Sequence, residues 1–335
     1  MARAERITVI GGGGWGIALA NLLAGEGPVT LWEFFPYAME MLRLERVRPE
    51  VLPDIRLDDS ILVTGDPREA MDDSALALFV VPSHALRAVA RSFAPHIRPG
   101  LPIASATKGL ETESLKRMSI VLGEELGGDH PIVVLSGPSH AEEVARGMPT
   151  TLVAASANAD LARLLQDWLM RPNLRVYTCS DVVGVELGGS LKNIIAIAAG
   201  MCAALGYGDN AMGAIITRGL AEITRLGVAF GARPTTFMGL SGLGDLITTC
   251  ISPNSRNRRL GERIGQGDTL DDILEGSAMV VEGIYTVKAA YQLSEQMGVD
   301  MPIAVAVYEV LYGGMQPALA ARELMTRQPR AEDEA

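Results

Sequence analysis

Lys192 is the residue of this chain most clearly placed to do chemistry. From Leu187 to Leu205 it is the only charged side chain in 19 residues, and an ammonium drawn into apolar surroundings must be paired, neutralised or used. It lies beside Asn193 in the run Gly184 to Gly206, GVELGGSLKNIIAIAAGMCAALG. Three roles are open to such a lysine: part of a membrane-spanning helix, a snorkelling cation on a core helix, or a proton donor and acceptor presented to a cleft. The central ammonium, diluted further by Gly188, Gly189, Ser190 and Asn193, argues against the membrane span. Gly188 and Gly189 read as places where a cofactor or a sheet comes close to the helix.

Further along, Ser252 to Arg259, SPNSRNRR, is the densest basic stretch of an otherwise acidic chain. Arg256 between Ser255 and Asn257 offers a planar guanidinium and polar donors suited to a phosphoryl group; a solvated helix face is the alternative. Asp245 and Thr249 precede it, four residues apart and so on one helical face. Lys108 follows a buried strand, more pointed than an ordinary surface lysine. His84 and His140 each follow a serine at a helix start. Neither has a second histidine or cysteine at ligand spacing, so both are assigned to packing or capping, and no metal is expected.

The N-terminal segment supplies a different chemistry. Ile7 to Ile10 is a β-branched run followed by Gly11 to Gly14, Trp15 and Gly16, then by a helical pattern. Gly11, Gly13 and Gly16 satisfy GxGxxG, for a tight turn, a close approach to pyrophosphate and close packing of helix on strand. The helix start then faces phosphate with its free N–H groups. Glu33 ends the next strand, 17 residues beyond Gly16, where an acid takes ribose hydroxyls and repels a 2′-phosphate. Phe34, Phe35 and Pro36 bring no arginine to accept that phosphate, so NAD is expected over NADP.

These residues need elements to carry them. Strands are expected at Ile7–Ile10, Val29–Trp32, Ile61–Thr64, Leu76–Val81, Ile103–Ala106, Ile132–Leu135, Thr151–Ala155 and Arg175–Thr178, separated by helical patterns. Such alternation implies an α/β domain with a mostly parallel sheet. Its ligands should collect beyond the carboxyl ends of strands, where Pro82–His84, Thr107–Gly109 and Ser136–His140 fall on one rim. Past Val182 no strand signal appears, and helices joined by glycine-rich turns follow. The expected domains are 1–181, dinucleotide-binding, and 182–327, all-α and catalytic, with 328–335 an unstructured tail. A chain of 335 residues suits two domains. Its formal net charge of −11 disfavours nucleic acid. Cys179, Cys202 and Cys250 are odd in number and widely spaced, which fits neither a disulfide framework nor a zinc site and suits the cytoplasm.

Several motifs in one order bear a resemblance to a known family. GGGGWG at 11–16, VVPSH at 80–84, ATKGLE at 106–111, SGPSHAEE at 136–143, GVELGGSLKNIIAIAAG at 184–200, GLGDL at 242–246, NSRNRR at 254–259 and VVEG at 280–283 together resemble the bacterial NAD(P)-dependent sn-glycerol-3-phosphate dehydrogenases, over about residues 7–324. The resemblance implies an N-terminal Rossmann domain, a helical C-terminal domain and a homodimer. It implies hydride transfer between NAD(P)H and dihydroxyacetone phosphate, supplying glycerol phosphate for phospholipid synthesis. It makes Lys192 the proton acceptor, aided by Lys108 and Asp245. Substrate contacts fall on Lys108, Gly137, Ser139, Lys192, Asp245, Ser255, Arg256 and Asn257, with Asn193 and Thr249 beside them. The cofactor side falls on Gly14, Trp15, Lys108, Ala141, Arg256, Val280 and Glu282, added to Gly11, Gly13, Gly16, Glu33 and Phe34. Glu33 and Phe34 depart from the family's small and basic residues at those places. Two rivals remain: a two-domain dehydrogenase of hydroxy or sugar acids, and a non-catalytic NADH sensor.

Overall fold

The computed structural model describes residues 5–127, 129–275, 281–329 and 331–332. The chain forms two compact units, one running to Lys108 and resuming from Lys116 to Val182, the other comprising Gly109–Leu115 and the chain from Val183 on.

The first unit is built on eight strands: β1 (Arg6–Ile10), β2 (Val29–Trp32), β3 (Leu62–Thr64), β4 (Ser74–Phe79), β5 (Ile103–Ser105), β6 (Ile132–Ser136), β7 (Thr150–Ala155) and β8 (Leu174–Cys179). They lie in the order β3-β2-β1-β4-β5-β6-β7-β8. The inner strands are short and almost wholly buried, rich in Val, Ile, Leu and Ala, as a sheet covered on both faces requires. All pairs from β3 to β6 are parallel; β7 runs antiparallel to β6, and β8 is parallel to β7. The strand order reverses between β1 and β4, the place where open sheets of this type bind ligands. Register aligns Ile10 with Phe79, Phe79 with Ser105 and Ser105 with Val134. The segments after β1, β4, β5 and β6 therefore emerge at one rim, as their spacing predicts.

The second unit is helical among the described residues. Its centre is the helix Val182–Ala204, every residue of which from Gly184 to Cys202 is buried. This helix is long and apolar enough to cross a membrane, but 89% of its most apolar 18-residue window is buried inside the protein. Around it pack Leu220, Ile223 and Leu226 of the helix Asp209–Ala229, Leu260 and Ile264 of Arg256–Gln266, and Ile284 and Val287 of Glu282–Met297. Apolarity here reflects a central position in a core. Glu222 is buried too, and its carboxylate accepts from Ile303 N at 2.8 Å and Ala304 N at 3.2 Å, capping the start of the helix Pro302–Tyr312.

The expected cut at 181/182 is crossed by one short segment. Gly109–Leu115 joins the helical unit because Ser190 Oγ accepts from Gly109 N at 2.9 Å and lies 3.1 Å from Gly109 O, while Leu110 enters that unit's core. Of the expected tail 328–335, residues 330 and 333–335 lie outside the described residues.

Candidate active site

In the helical unit, Lys192 finds its partners on the helix Asp245–Ile251. Its Nζ donates to Asp245 Oδ1 and, at 2.6 Å, to Thr249 Oγ1. Lysine and aspartate side chains are only 7% and 2% exposed, so two buried charges neutralise each other where water cannot. The four-residue spacing of Asp245 and Thr249 does put both on the face that meets the lysine. The Thr249 hydroxyl also lies 2.6 Å from the Asp245 carbonyl one turn back, which fixes its direction. Cys250, next in sequence, is inert: burial pushes its thiol up to about 12, with Lys192 and Arg258 opposing only in part.

The approach to Asp245 is unusual. Leu240–Gly244 forms a π-helical turn leading directly into the helix, a local widening common at functional sites. A Cβ on Gly188 would lie 2.7 Å from Ser241 O and 3.3 Å from Gly242 Cα. The backbone that needs Gly188 is thus this turn, a correction to the expectation of a cofactor or sheet at that glycine.

Three expected substrate residues gather at the start of Arg256–Gln266. Ser255 is its N-cap, the hydroxyl accepting from Arg258 N at 3.2 Å, and Arg256 follows it, exposed. Asn257 turns inward: its Nδ2 donates to Asn193 Oδ1 at 2.9 Å, and its Oδ1 accepts from Gly283 N at 2.9 Å. The two asparagines therefore tie the central helix and the Arg256 helix to the first turn of Glu282–Met297, where Glu282 sits. Val280 lies outside the described residues.

In the first unit, Lys108 Nζ donates to Gly137 O at 2.9 Å and lies 3.4 Å from Ser139 Oγ, whose hydroxyl donates to Gly137 O at 2.9 Å. The loops after β5 and β6 are joined by this cluster. His84 lies in the turn Ser83–Ala85, its pKa lowered by burial. His140 is the N-cap residue of the helix Ala141–Ala145, but its side chain makes no capping bond, so of the packing or capping expected of it the side-chain cap is not formed.

The glycine turn after β1 has the geometry a dinucleotide requires. Gly11 has φ +121°, and a Cβ there would meet Val80 O at 2.6 Å; at Gly16 it would meet Gly11 O at 1.8 Å. At Gly13 a Cβ would find nothing within 4 Å, leaving backbone open to a ligand. Gly13 is also the N-cap of Gly14–Ala24 and brings no capping side chain, so the first N–H groups keep their preference for an anion. Ala141 Cβ is 3.6 Å from where a Gly14 Cβ would stand, and Trp15 packs on the sheet's core. These residues fit a dinucleotide's pyrophosphate.

Glu33 directly follows β2, as expected, but it is not open to solvent. It is 4% exposed. Its Oε2 accepts from Gly12 N at 3.0 Å and Arg48 Nη1 at 2.8 Å, and its Oε1 accepts from Phe35 N at 3.0 Å. Arg48 lies 15 positions beyond Glu33, and the residues next to Glu33, Phe34 to Pro36, give no sign of it. Phe34 is 66% exposed beside Phe35, their ring centroids 5.2 Å apart.

A glycine turn on a parallel sheet, continued in the same chain by a helical unit around a buried, paired lysine, is the architecture of a two-domain nicotinamide-dependent dehydrogenase. Known proteins narrow the class. Residues 6–162 match the family described as NAD-dependent glycerol-3-phosphate dehydrogenase N-terminus, and residues 181–322 its C-terminus. The chain belongs to the NAD-dependent glycerol-3-phosphate dehydrogenase family. The glycerol-3-phosphate dehydrogenase (NAD(P)+) of Nitratidesulfovibrio vulgaris is 47% identical over 329 residues, spanning 98% of this chain and 100% of its own length. The corresponding protein 2 of Salinibacter ruber is 50% identical over 97% of this chain and 96% of its own. The crystal structure of glycerol-3-phosphate dehydrogenase from Coxiella burnetii superposes with a TM-score of 0.93 at 36% identity, covering 97% of this chain and 99% of that one. A D-mandelate dehydrogenase, 11% identical with a TM-score of 0.64, shares the fold alone.

Proposed function

We infer that this protein is a glycerol-3-phosphate dehydrogenase that interconverts dihydroxyacetone phosphate and sn-glycerol 3-phosphate with NAD(P)H, NAD being the preferred form, and so supplies glycerol phosphate for phospholipid synthesis. The observation that carries it is the buried Lys192–Asp245–Thr249 set in a chain matched along both halves by that family.

The nicotinamide, when bound, supplies the hydride; Gly11, Gly13, Gly14, Trp15, Gly16, Glu33 and Ala141 are the residues proposed to hold the dinucleotide, with Glu282 a further candidate. What remains is the chain's own work. Lys192 donates a proton to the C2 oxygen as the carbonyl is reduced and takes the hydroxyl proton in the opposite direction. Asp245 and Thr249 hold Nζ where that transfer needs it, and Asp245 balances its charge. Arg256 and the N-terminal N–H groups of its helix bind the phosphate, a non-reacting part of the substrate, and that binding energy orients C2. Asn193 and Asn257 keep the Arg256 helix fixed against the central helix. Lys108, steadied by Gly137 and Ser139, is a further candidate for binding substrate and cofactor.

The proposed working form is a cytoplasmic homodimer, supported by the family resemblance and by three cysteines that are all free thiols; sedimentation of the purified chain tests the dimer. The function itself is tested by following NADH consumption with dihydroxyacetone phosphate, beside NADPH. Rapid turnover, faster with NADH, is expected. Cofactor binding without turnover would identify a sensor, and turnover only with hydroxy or sugar acids would identify the other dehydrogenase class.

A further inference from the structure

One buried charge pair joins Glu33, proposed above to hold the dinucleotide, to an arginine that has no role in the chemistry above. Arg48 lies in the loop beyond the helix Pro36–Leu44, yet its Nη1 donates both to Glu33 Oε2 at 2.8 Å and to Gly12 O at 2.8 Å. One guanidinium thus ties the acid that follows β2 to the glycine turn that follows β1. The side chains of Arg48 and Glu33 are 13% and 5% exposed. A pair withdrawn this far gains little net stability, because desolvation offsets attraction, but it fixes direction. The Glu33 carboxylate is held on three sides, by Gly12 N, Arg48 Nη1 and Phe35 N, out of about four acceptor positions a carboxylate has. The turn is shaped around it as well: a Cβ on Gly12 would lie 2.6 Å from Glu33 Oε2.

The consequence concerns cofactor choice. A carboxylate fixed at the end of β2 accepts a hydrogen bond from a ribose 2′-hydroxyl, whereas a 2′-phosphate brings only acceptors and negative charge. Arg48, the cation paired with it, has its Nη1 committed to Glu33 and Gly12. We propose that Arg48 is a specificity-determining residue acting through Glu33: it locks the carboxylate against the glycine turn, so that the adenosine ribose of NAD is accepted and the 2′-phosphate of NADP is refused. This rests on the NAD preference inferred above.

The test is titration of NADH and NADPH by their fluorescence, without substrate, on wild type, Arg48→Met, Arg48→Lys, Glu33→Ser and the Glu33→Ser/Arg48→Met double variant. Arg48→Met should weaken NADH about tenfold, the worth of one hydrogen bond to a charged group, and leave NADPH nearly unchanged, collapsing the preference. Arg48→Lys keeps the cation on a shorter side chain that cannot place its nitrogen where Nη1 stands, and should give a smaller loss in the same sense; it serves equally if Arg48→Met does not fold. Glu33→Ser removes the close counter-ion of Arg48 and leaves only Glu50, whose Oε1 lies 3.8 Å from Nε, so a 2′-phosphate replaces the lost carboxylate and NADPH should bind more tightly than NADH. The double variant should lose that gain. A selective wild type whose ratio survives in Arg48→Met, with both cofactors weakened equally, would show a merely structural arginine and overturn the proposal alone. Selective loss of NADPH in Arg48→Met would make Arg48 a phosphate acceptor and overturn it likewise. A wild-type ratio near one would overturn the NAD preference itself and the role of Arg48 with it.

Discussion

Gly188→Ala places one methyl group against the backbone that delivers Asp245, and its effect can be worked from the geometry. The added Cβ would stand 2.7 Å from Ser241 O, 3.2 Å from Ser241 C and 3.3 Å from Gly242 Cα. None of these is a side chain that can rotate away. Restoring ordinary contact requires the π turn to retreat by roughly 0.7–1 Å. Asp245 begins the helix directly after that turn, so its carboxylate moves by a similar amount away from Lys192. Overpacking of this kind costs about 1–3 kcal/mol, and alanine returns about 1 kcal/mol over glycine through helix propensity. Net destabilisation should therefore stay below about 2 kcal/mol while catalysis suffers far more, since a displacement near 1 Å costs about 10²-fold in rate. The assay is steady-state reduction of dihydroxyacetone phosphate followed by NADH absorbance, with urea denaturation and NADH titration alongside. A kcat within about twofold of wild type, in a folded variant, would refute the claim that the π turn sets the Lys192–Asp245 pairing.

Other outcomes follow from the same structure. Lys192→Met should lower kcat by about two to four orders of magnitude with NADH binding little changed; retained turnover would make the buried Lys192–Asp245 pair a structural one. Arg256→Ala should raise the KM for dihydroxyacetone phosphate by about 10- to 100-fold through loss of charged hydrogen bonds, and an unchanged KM would argue against a phosphate clamp. Burial pushes the Glu222 carboxyl from its ordinary 4.5 up to about 7, the bonds from Ile303 and Ala304 and the charge of Arg225 opposing in part and Asp300 adding to the rise. Because the folded value is the higher one, this group's contribution to stability is complete below about pH 4.5 and is lost as pH rises towards about 7, by about 3 kcal/mol at most. Glu222→Gln should flatten that slope in urea midpoints measured across the window, and parallel profiles for the two proteins would contradict it.

Much of the molecule is legible before any folding is considered, because the signals are local. All eight strands fall where β-branched and apolar runs predict them, and GxGxxG announces a turn whose demands, φ +121° at Gly11 and contact at Gly16, are backbone demands. Lys192 stands out because one charge in an apolar run has few physical excuses, and the four-residue spacing of Asp245 and Thr249 already puts both on one face.

What only tertiary structure decided are the partners. Periodicity says which face of an element is buried, never which distant residue it meets. Arg48 reaches Glu33 across 15 positions, Asn257 reaches Asn193 across 64, and Ser190 meets Gly109 across 81. The antiparallel turn of β7 and the transfer of Gly109–Leu115 to the helical unit depend on such meetings. So does the identity of Gly188's neighbour, and so does the confinement of Glu33 by an arginine its local sequence does not contain. The sequence determined which chemical groups this protein possesses, since those are properties of single residues and short repeats. Which of them are paired, oriented or withheld from solvent was left to the fold, because pairing is set by proximity in space.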